Sequence, residues 1–403
     1  MIGTVRVYFI DTNPFMATQS QGEITAWHYQ TRKPICVRWR DGLITEVSAA
    51  DSNPPGDLWI APGLFDLQVN GFAGVDFQQD GLRREDLLTA LRGLRTNGCT
   101  RFLLTLITDT WPKLTARLGH LRRLRTGSPE LERAIAGWHI EGPFLSSEPG
   151  FHGAHAKDLM LDPKPEHIHE LREITGLDPL LLTLAPERQG ALEAISLAAN
   201  LGARVSLGHT NASANLLASA VAAGARGFTH LGNGCAALLD RRDNILWRVF
   251  ETPGLTVSLI PDRVHVSPAL FRIMHRLLSP DSVVYVSDAM AAGGAPLGQY
   301  RLGKLELEVG EDRVVRQPGS PYLAGSALNP VAGVEFAAEM LDCPWQESWQ
   351  RYSALPAKFM GVCTDLFPGE SLDAFLVTTA PGGKELRVQP LAAAAFASPT
   401  GRG

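Results

Sequence analysis

The sequence predicts an α/β chain: a (β/α)8 TIM-type barrel with a small β-domain built from both chain termini. Three observations carry that expectation. Apolar strand-like runs alternate with helical stretches through the middle of the chain, and short strands broken by turns crowd both ends. Four apolar runs also stop at a residue able to bind a metal or move a proton: residues 134–140 at Glu141, 204–208 at His209, 225–229 at His230 and 282–287 at Asp288. In a parallel barrel the loops after the strands share one face and converge, so four complementary endings of this kind point to catalysis.

The elements follow in order. Residues 5–10, 35–39 and 43–47 read as strands, with Asp41-Gly42 as a hairpin turn between the last two. The cluster Asp51-Ser52-Asn53-Pro54-Pro55-Gly56 is a linker or turn. Residues 101–105 with Ile107 form an apolar strand, and Leu114, Leu118, Leu121 and Leu124 then keep one helical face apolar. Leu180–Leu184 is the next strand, followed by a helix over 191–201 that Gly202 closes in the favoured left-handed position. Residues 204–208, a helix over 213–223 and residues 227–229 make a compact strand–helix–strand unit. About seven or eight such repeats favour a closed barrel, and the lack of a dinucleotide fingerprint counts against an open doubly wound sheet. Strand-like residues 372–378 and 384–388 flank Ala380-Pro381-Gly382-Gly383. Residues 1–60 with 366–390 are thus expected to form the small domain, 61–365 the barrel, and 391–403 a loosely ordered tail.

Bulk properties narrow the function. The 403 residues are 45% hydrophobic and 20% charged, the composition of an ordinary globule. A formal net charge of -5 with no block of like charges gives no reason to expect nucleic acid or an anionic membrane surface as partner. No apolar stretch approaches the roughly 20 residues needed to span a bilayer. The opening residues lack a basic segment followed by an apolar core, so a cytoplasmic protein is expected. Five scattered cysteines (Cys36, Cys99, Cys235, Cys343, Cys363) argue against both a disulfide framework and a structural zinc site.

A catalytic zinc-type site needs three ligands from His, Asp or Glu and a free position for water. Glu141, His209 and His230 supply that set, each at a strand end. Asp288 follows the apolar Val283-Val284-Tyr285 and stands where a carboxylate can take a proton from water and hand it to a leaving amine. It also suits a helix N-cap, where aspartate is favoured.

Six runs occur in an informative order: Pro62-Gly63-Leu64-Phe65-Asp66-Leu67-Gln68-Val69-Asn70-Gly71, His139-Ile140-Glu141-Gly142-Pro143-Phe144, Gly208-His209-Thr210-Asn211-Ala212, Thr229-His230-Leu231, Ser287-Asp288-Ala289-Met290 and Leu323-Ala324-Gly325-Ser326. Together they resemble the N-acetylglucosamine-6-phosphate deacetylase family of the metal-dependent amidohydrolases, over nearly the whole chain. The resemblance implies a barrel with a small β-sandwich, Glu141, His209 and His230 as metal ligands, and Asp288 as general base and acid. Most superfamily members carry His-x-His after the first barrel strand, where this chain has Gln68-Val69-Asn70. Neutral amides are poor ligands beside imidazole, which implies a vacated second-metal position and a single divalent ion, zinc being expected.

The resemblance further implies that Ala154 and His155, from Gly153-Ala154-His155, meet the substrate. Asn233, Gly234, Arg241 and His265 would bind its phosphate, with His265 reaching across a homodimer interface, and Leu323, Ala324 and Gly325 would border the pocket. Arg241 sits beside Arg242 in a polar loop, where solvated surface arginines are the commoner case. Two loops depart from the family pattern: an Asn-Ala-Met run gives way to Asn233-Gly234-Cys235, and Asp262-Arg263-Val264-His265 stands where Gly-Leu or Gly-Ile is usual. The implied reaction is deacetylation of N-acetylglucosamine 6-phosphate to glucosamine 6-phosphate and acetate. The alternatives are a different N-acyl amino-sugar phosphate or a cyclic amide as substrate, or a non-catalytic sugar-phosphate binder on the same scaffold.

Overall fold

The computed structural model describes residues 21–319, 323–380 and 385–391. The expected strand at 5–10, the Pro381-Gly382-Gly383 turn and the tail from 392 lie outside them.

Both ends of the chain contribute to one six-stranded sheet, in the order Leu386–Pro390, Ala374–Thr379, Trp59–Pro62, Gln21–His28, Pro34–Arg40, Leu43–Ala49. The hairpin between the last two turns at Asp41 and Gly42, with φ of +51° and +75°. Two positive values suit the tight turn that matches the twist of paired strands. Ile60, Ala26, Val37 and Ile44 are buried on this sheet beneath Leu366 and Leu372.

Eight parallel strands then form the barrel, and we number these alone: β1 Leu64–Val69, β2 Cys99–Ile107, β3 Ile135–Glu141, β4 Leu180–Leu184, β5 Arg204–Leu207, β6 Gly227–Phe228, β7 Thr256–Leu259 and β8 Val283–Tyr285. Each pairs with its neighbour in chain order. The end of β1 meets the chain just beyond β8 through a parallel bridge between Val69 and Ala289, with Asn70 N–H donating to the Ala289 carbonyl at 2.7 Å. The buried Asp66 carboxylate clamps the same seam, accepting from the Ser287 N–H at 3.1 Å and the Tyr352 hydroxyl at 2.9 Å. Closure therefore brings the residues after β1 against those after β8.

The helices lie where the apolar spacing puts them. Trp111–Arg125 buries Leu114, Leu118 and Leu121 completely. Ala191–Asn200 ends before Gly202, whose φ is +79°. Ala214–Ala223 is capped by the Ser213 hydroxyl, which accepts from the Leu216 N–H. Inside the barrel Phe65, Leu67, Leu103, Leu181 and Val284 interdigitate, while a larger core fills the space between strands and helices.

Two features depart from the sequence reading. No helix starts at Asp288, so the N-cap alternative falls; the chain instead runs into turns after Ala289, which bridges to both Val69 and Ser326. An excursion after β8 forms a three-stranded antiparallel sheet (Gly298–Leu302, Leu305–Val309, Val315–Arg316) that sequence periodicity did not bring out. Among the described residues no helix is long and apolar enough to cross a membrane.

Candidate active site

The carboxyl ends of the strands ring a cavity of about 860 Å³, measured out to its open mouth. Glu141 enters it from β3, His209 after β5, His230 after β6 and Asp288 after β8. His209, His230 and Asp288 have φ of +50°, +32° and +51°. Left-handed backbone costs a non-glycine residue roughly 1 kcal/mol or more and is retained where surrounding contacts fix it, often at functional sites. Here it turns each side chain from the strand end into the cavity.

Glu141 is the hub. Its Oε1 is 2.8 Å from His230 Nε2 and 3.4 Å from His209 Nε2, and its Oε2 is 3.8 Å from His155 Nε2. The His209 and His230 rings stand edge to face at 5.0 Å, as do His155 and His209 at 4.6 Å. Glu141, His155 and His209 each offer a ligand atom within 4.8 Å of the others, a grouping able to hold a metal ion. The His209 tautomer supports that use. Its Nδ1 is 3.0 Å from the Phe151 carbonyl, which can only accept, so the proton sits there. The Nε2 lone pair then faces the Glu141 carboxylate, and two acceptors turned toward each other are satisfied by a cation. A metal-binding histidine commonly has its other nitrogen fixed in this way. His230 places Nε2 against the same oxygen, while its buried Nδ1 has no hydrogen-bond partner.

The charges respond to this enclosure. Burial alone would raise the Glu141 carboxyl, but the imidazoles packed against it, with His230 at hydrogen-bond distance, outweigh burial and hold the group well below the usual carboxylate range. Burial pushes Asp288 up to about 6, and the nearby Glu141 charge adds to the rise. His155 is held down to about 3, by burial first and then by the neighbouring His209, and its Nδ1 is fixed against the Thr108 hydroxyl at 2.8 Å. Burial lowers His230 and its hydrogen bond to Glu141 raises it; the second effect wins.

Gln68 and Asn70, expected to mark a vacated metal position, fill that space with donors. Gln68 Nε2 donates to Glu141 Oε2 at 3.1 Å and to Asp288 Oδ1 at 2.9 Å, and Asn70 Nδ2 donates to Asp288 Oδ1 at 2.7 Å. The amide hydrogens thus lie between two carboxylates where a cation would otherwise be needed.

Ala154, Asn233, Gly234, His265, Leu323, Ala324 and Gly325 all line the cavity. His265 reaches it within its own chain, held by Asp262 at 2.6 Å from its Nδ1, so no interface is required to deliver it. Arg241 is exposed on the loop before Asn244 and does not line the cavity. Sequence reasoning missed Ile107, Cys235 and Leu302 in the lining. Leu302 comes from the excursion after β8, and no local pattern places it there. Among the described lining residues none is lysine or arginine.

A parallel barrel with a carboxylate, imidazoles and a second carboxylate gathered at its strand ends is that of an amidohydrolase-type enzyme. No family model matches the chain. Comparison with known proteins nevertheless places it. It is 31% identical over 313 residues to the N-acetylglucosamine-6-phosphate deacetylase of Vibrio furnissii, covering 78% of this chain and 76% of that protein. It is likewise 31% identical over 318 residues to the human enzyme of that name, covering 76% of each. The Mycobacterium smegmatis deacetylase, solved as a mutant in complex with N-acetyl-D-glucosamine-6-phosphate, superposes with a TM-score of 0.79 at 28% identity, over 89% of this chain and 96% of that one. The chain belongs to the N-acetylglucosamine-6-phosphate deacetylase family.

Proposed function

We propose that this enzyme removes acetate from N-acetylglucosamine 6-phosphate, leaving glucosamine 6-phosphate. The observation that carries the reading is the meeting of Glu141, His209, His230 and Asp288, from four different strands, in one buried cluster. In it Glu141, His209 and His230 would hold one divalent ion, zinc in this proposal. That ion would supply carbonyl polarisation and a lowered pKa for the attacking water.

The chain's own residues supply the remainder. His155, neutral and anchored by Thr108, directs Nε2 toward the acyl oxygen. Asp288 takes a proton from the attacking water as the carbonyl carbon becomes tetrahedral, then delivers it to the nitrogen as the carbon–nitrogen bond breaks. Gln68 and Asn70 steady Asp288 for both transfers. Asn233, the Gly234 backbone and His265 face the sugar phosphate, and Leu323, Ala324 and Gly325 wall the opposite side. A homodimer in the cytoplasm, recycling amino sugars, completes the proposal.

One observation favours a second reading. A cavity without lysine or arginine among its described lining residues is an unusual cradle for a phosphate dianion. An N-acyl amino sugar lacking the 6-phosphate would need no such cradle. Acetate release from N-acetylhexosamines with and without a 6-phosphate separates the two: preference for the phosphorylated glucosamine derivative supports the first, preference for the free sugar the second. No acetate from any of them would refute both.

A further inference from the structure

Asn70 has a half that the mechanism above leaves unused. Its Nδ2 end is settled, because the Asp288 carboxylate 2.7 Å away can only accept. Its backbone is held on both sides, the N–H by the Ala289 carbonyl at 2.7 Å and the carbonyl by the Phe77 N–H at 3.0 Å. The side chain therefore cannot turn away. Yet Oδ1 is buried without a hydrogen-bond partner, in a residue that is only 1% exposed and belongs to the lining of the active-site cavity. A buried unpaired acceptor costs free energy in the empty site and calls for a donor.

We propose that Asn70 Oδ1 accepts the N–H of the scissile amide, making Asn70 the residue that orients the leaving nitrogen; this rests on the deacetylase reading. An N-acetyl group offers one donor on its reacting atoms, the amide N–H. The group that must protonate that nitrogen, Asp288, is bonded to the other end of the same Asn70 side chain. With its N–H held by Oδ1, the nitrogen turns the lone pair that appears when the carbonyl carbon becomes tetrahedral toward Asp288. The proton then moves from Asp288 to nitrogen, the carbon–nitrogen bond breaks, and the N–H to Asn70 persists throughout. Asn70 thereby selects amides over esters, which have no hydrogen at that position.

The test compares the N-acetyl sugar phosphate with its 2-O-acetyl counterpart in metal-loaded wild-type and Asn70→Leu proteins, with metal content and thermal melting measured on the same samples. Asn70→Leu is expected to lower kcat/KM for the amide by about 100-fold and for the ester by no more than about 10-fold, the shared part reflecting a loosened Asp288. Asn70→Ser carries the same comparison should the leucine variant not fold. Equal losses on the two substrates would assign the orphaned oxygen to the attacking water and overturn the proposal, as would an amide loss below about tenfold. A wild-type protein active on the ester and silent on the amide would instead refute the deacetylase reading itself.

Discussion

Gln68 holds two buried carboxylates together, and replacing it should have a measurable, pH-dependent cost. Gln68→Leu preserves much of the volume of a residue 1% exposed, but removes the donors to Glu141 Oε2 and Asp288 Oδ1. Hydrogen bonds to charged groups are worth about 1.5–3 kcal/mol each, giving roughly 3–6 kcal/mol in all. Leucine burial and entering water return part of this, leaving a net loss of about 2–4 kcal/mol. The sign of the pH dependence follows from Asp288, which is raised to about 6 from an ordinary 3.8. A raised acid favours the folded state at low pH, and that contribution is lost as pH climbs from 3.8 toward the folded value. Without Gln68 the folded value rises further, so the variant continues to lose stability above pH 6. At pH 5 Asp288 is largely protonated and the penalty shrinks toward the Glu141 half alone. Urea unfolding of chelator-treated wild-type and variant proteins at pH 5 and pH 8 measures this. A loss below about 1 kcal/mol, or one equal at both pH values, would refute the reasoning.

Two further substitutions probe the surroundings of the cluster. Thr108→Val removes the hydroxyl 2.8 Å from His155 Nδ1 and should lower kcat about 10- to 100-fold with metal content unchanged, measured by acetate release beside elemental analysis. Gly234→Ala would set a Cβ 2.7 Å from His209 Nδ1 on backbone at φ +60°; metal affinity, followed by competition with a chromophoric chelator, should fall at least about tenfold.

Much of the site was legible because barrel chemistry is local in sequence: a strand's last residue and the next few decide what enters the cavity. Glu141, His209, His230 and Asp288 could be read for that reason. The alternating apolar runs likewise give the barrel, and Leu114, Leu118 and Leu121 give a helical face. What escaped depends on closure. Gln68 and Asn70 lie 220 and 218 positions from Asp288, so their donors could not be seen as a bridge between carboxylates until β1 met β8. Thr108 and His155 are joined across 47 positions because the loops after β2 and β3 converge on the same face of the barrel. The excursion after β8 packs Leu302 and Leu307 against Met290 and Ala324, a satellite core outside the barrel whose short strands resemble loop in sequence. Arg241 and His265 show the same dependence on the folded chain: Arg241 lies on an exposed loop, while His265 lines the cavity of its own chain, and no local pattern separates the two.

The central claim is that Asp288 moves the protons beside an ion held by Glu141, His209 and His230. The most direct test measures acetate release from N-acetylglucosamine 6-phosphate by wild-type and Asp288→Asn proteins, with the metal content of each determined on the same samples. The account predicts one divalent ion per chain in both and a fall in kcat of about three orders of magnitude or more in the variant. A variant that keeps its ion and stays within about tenfold of wild type would contradict it.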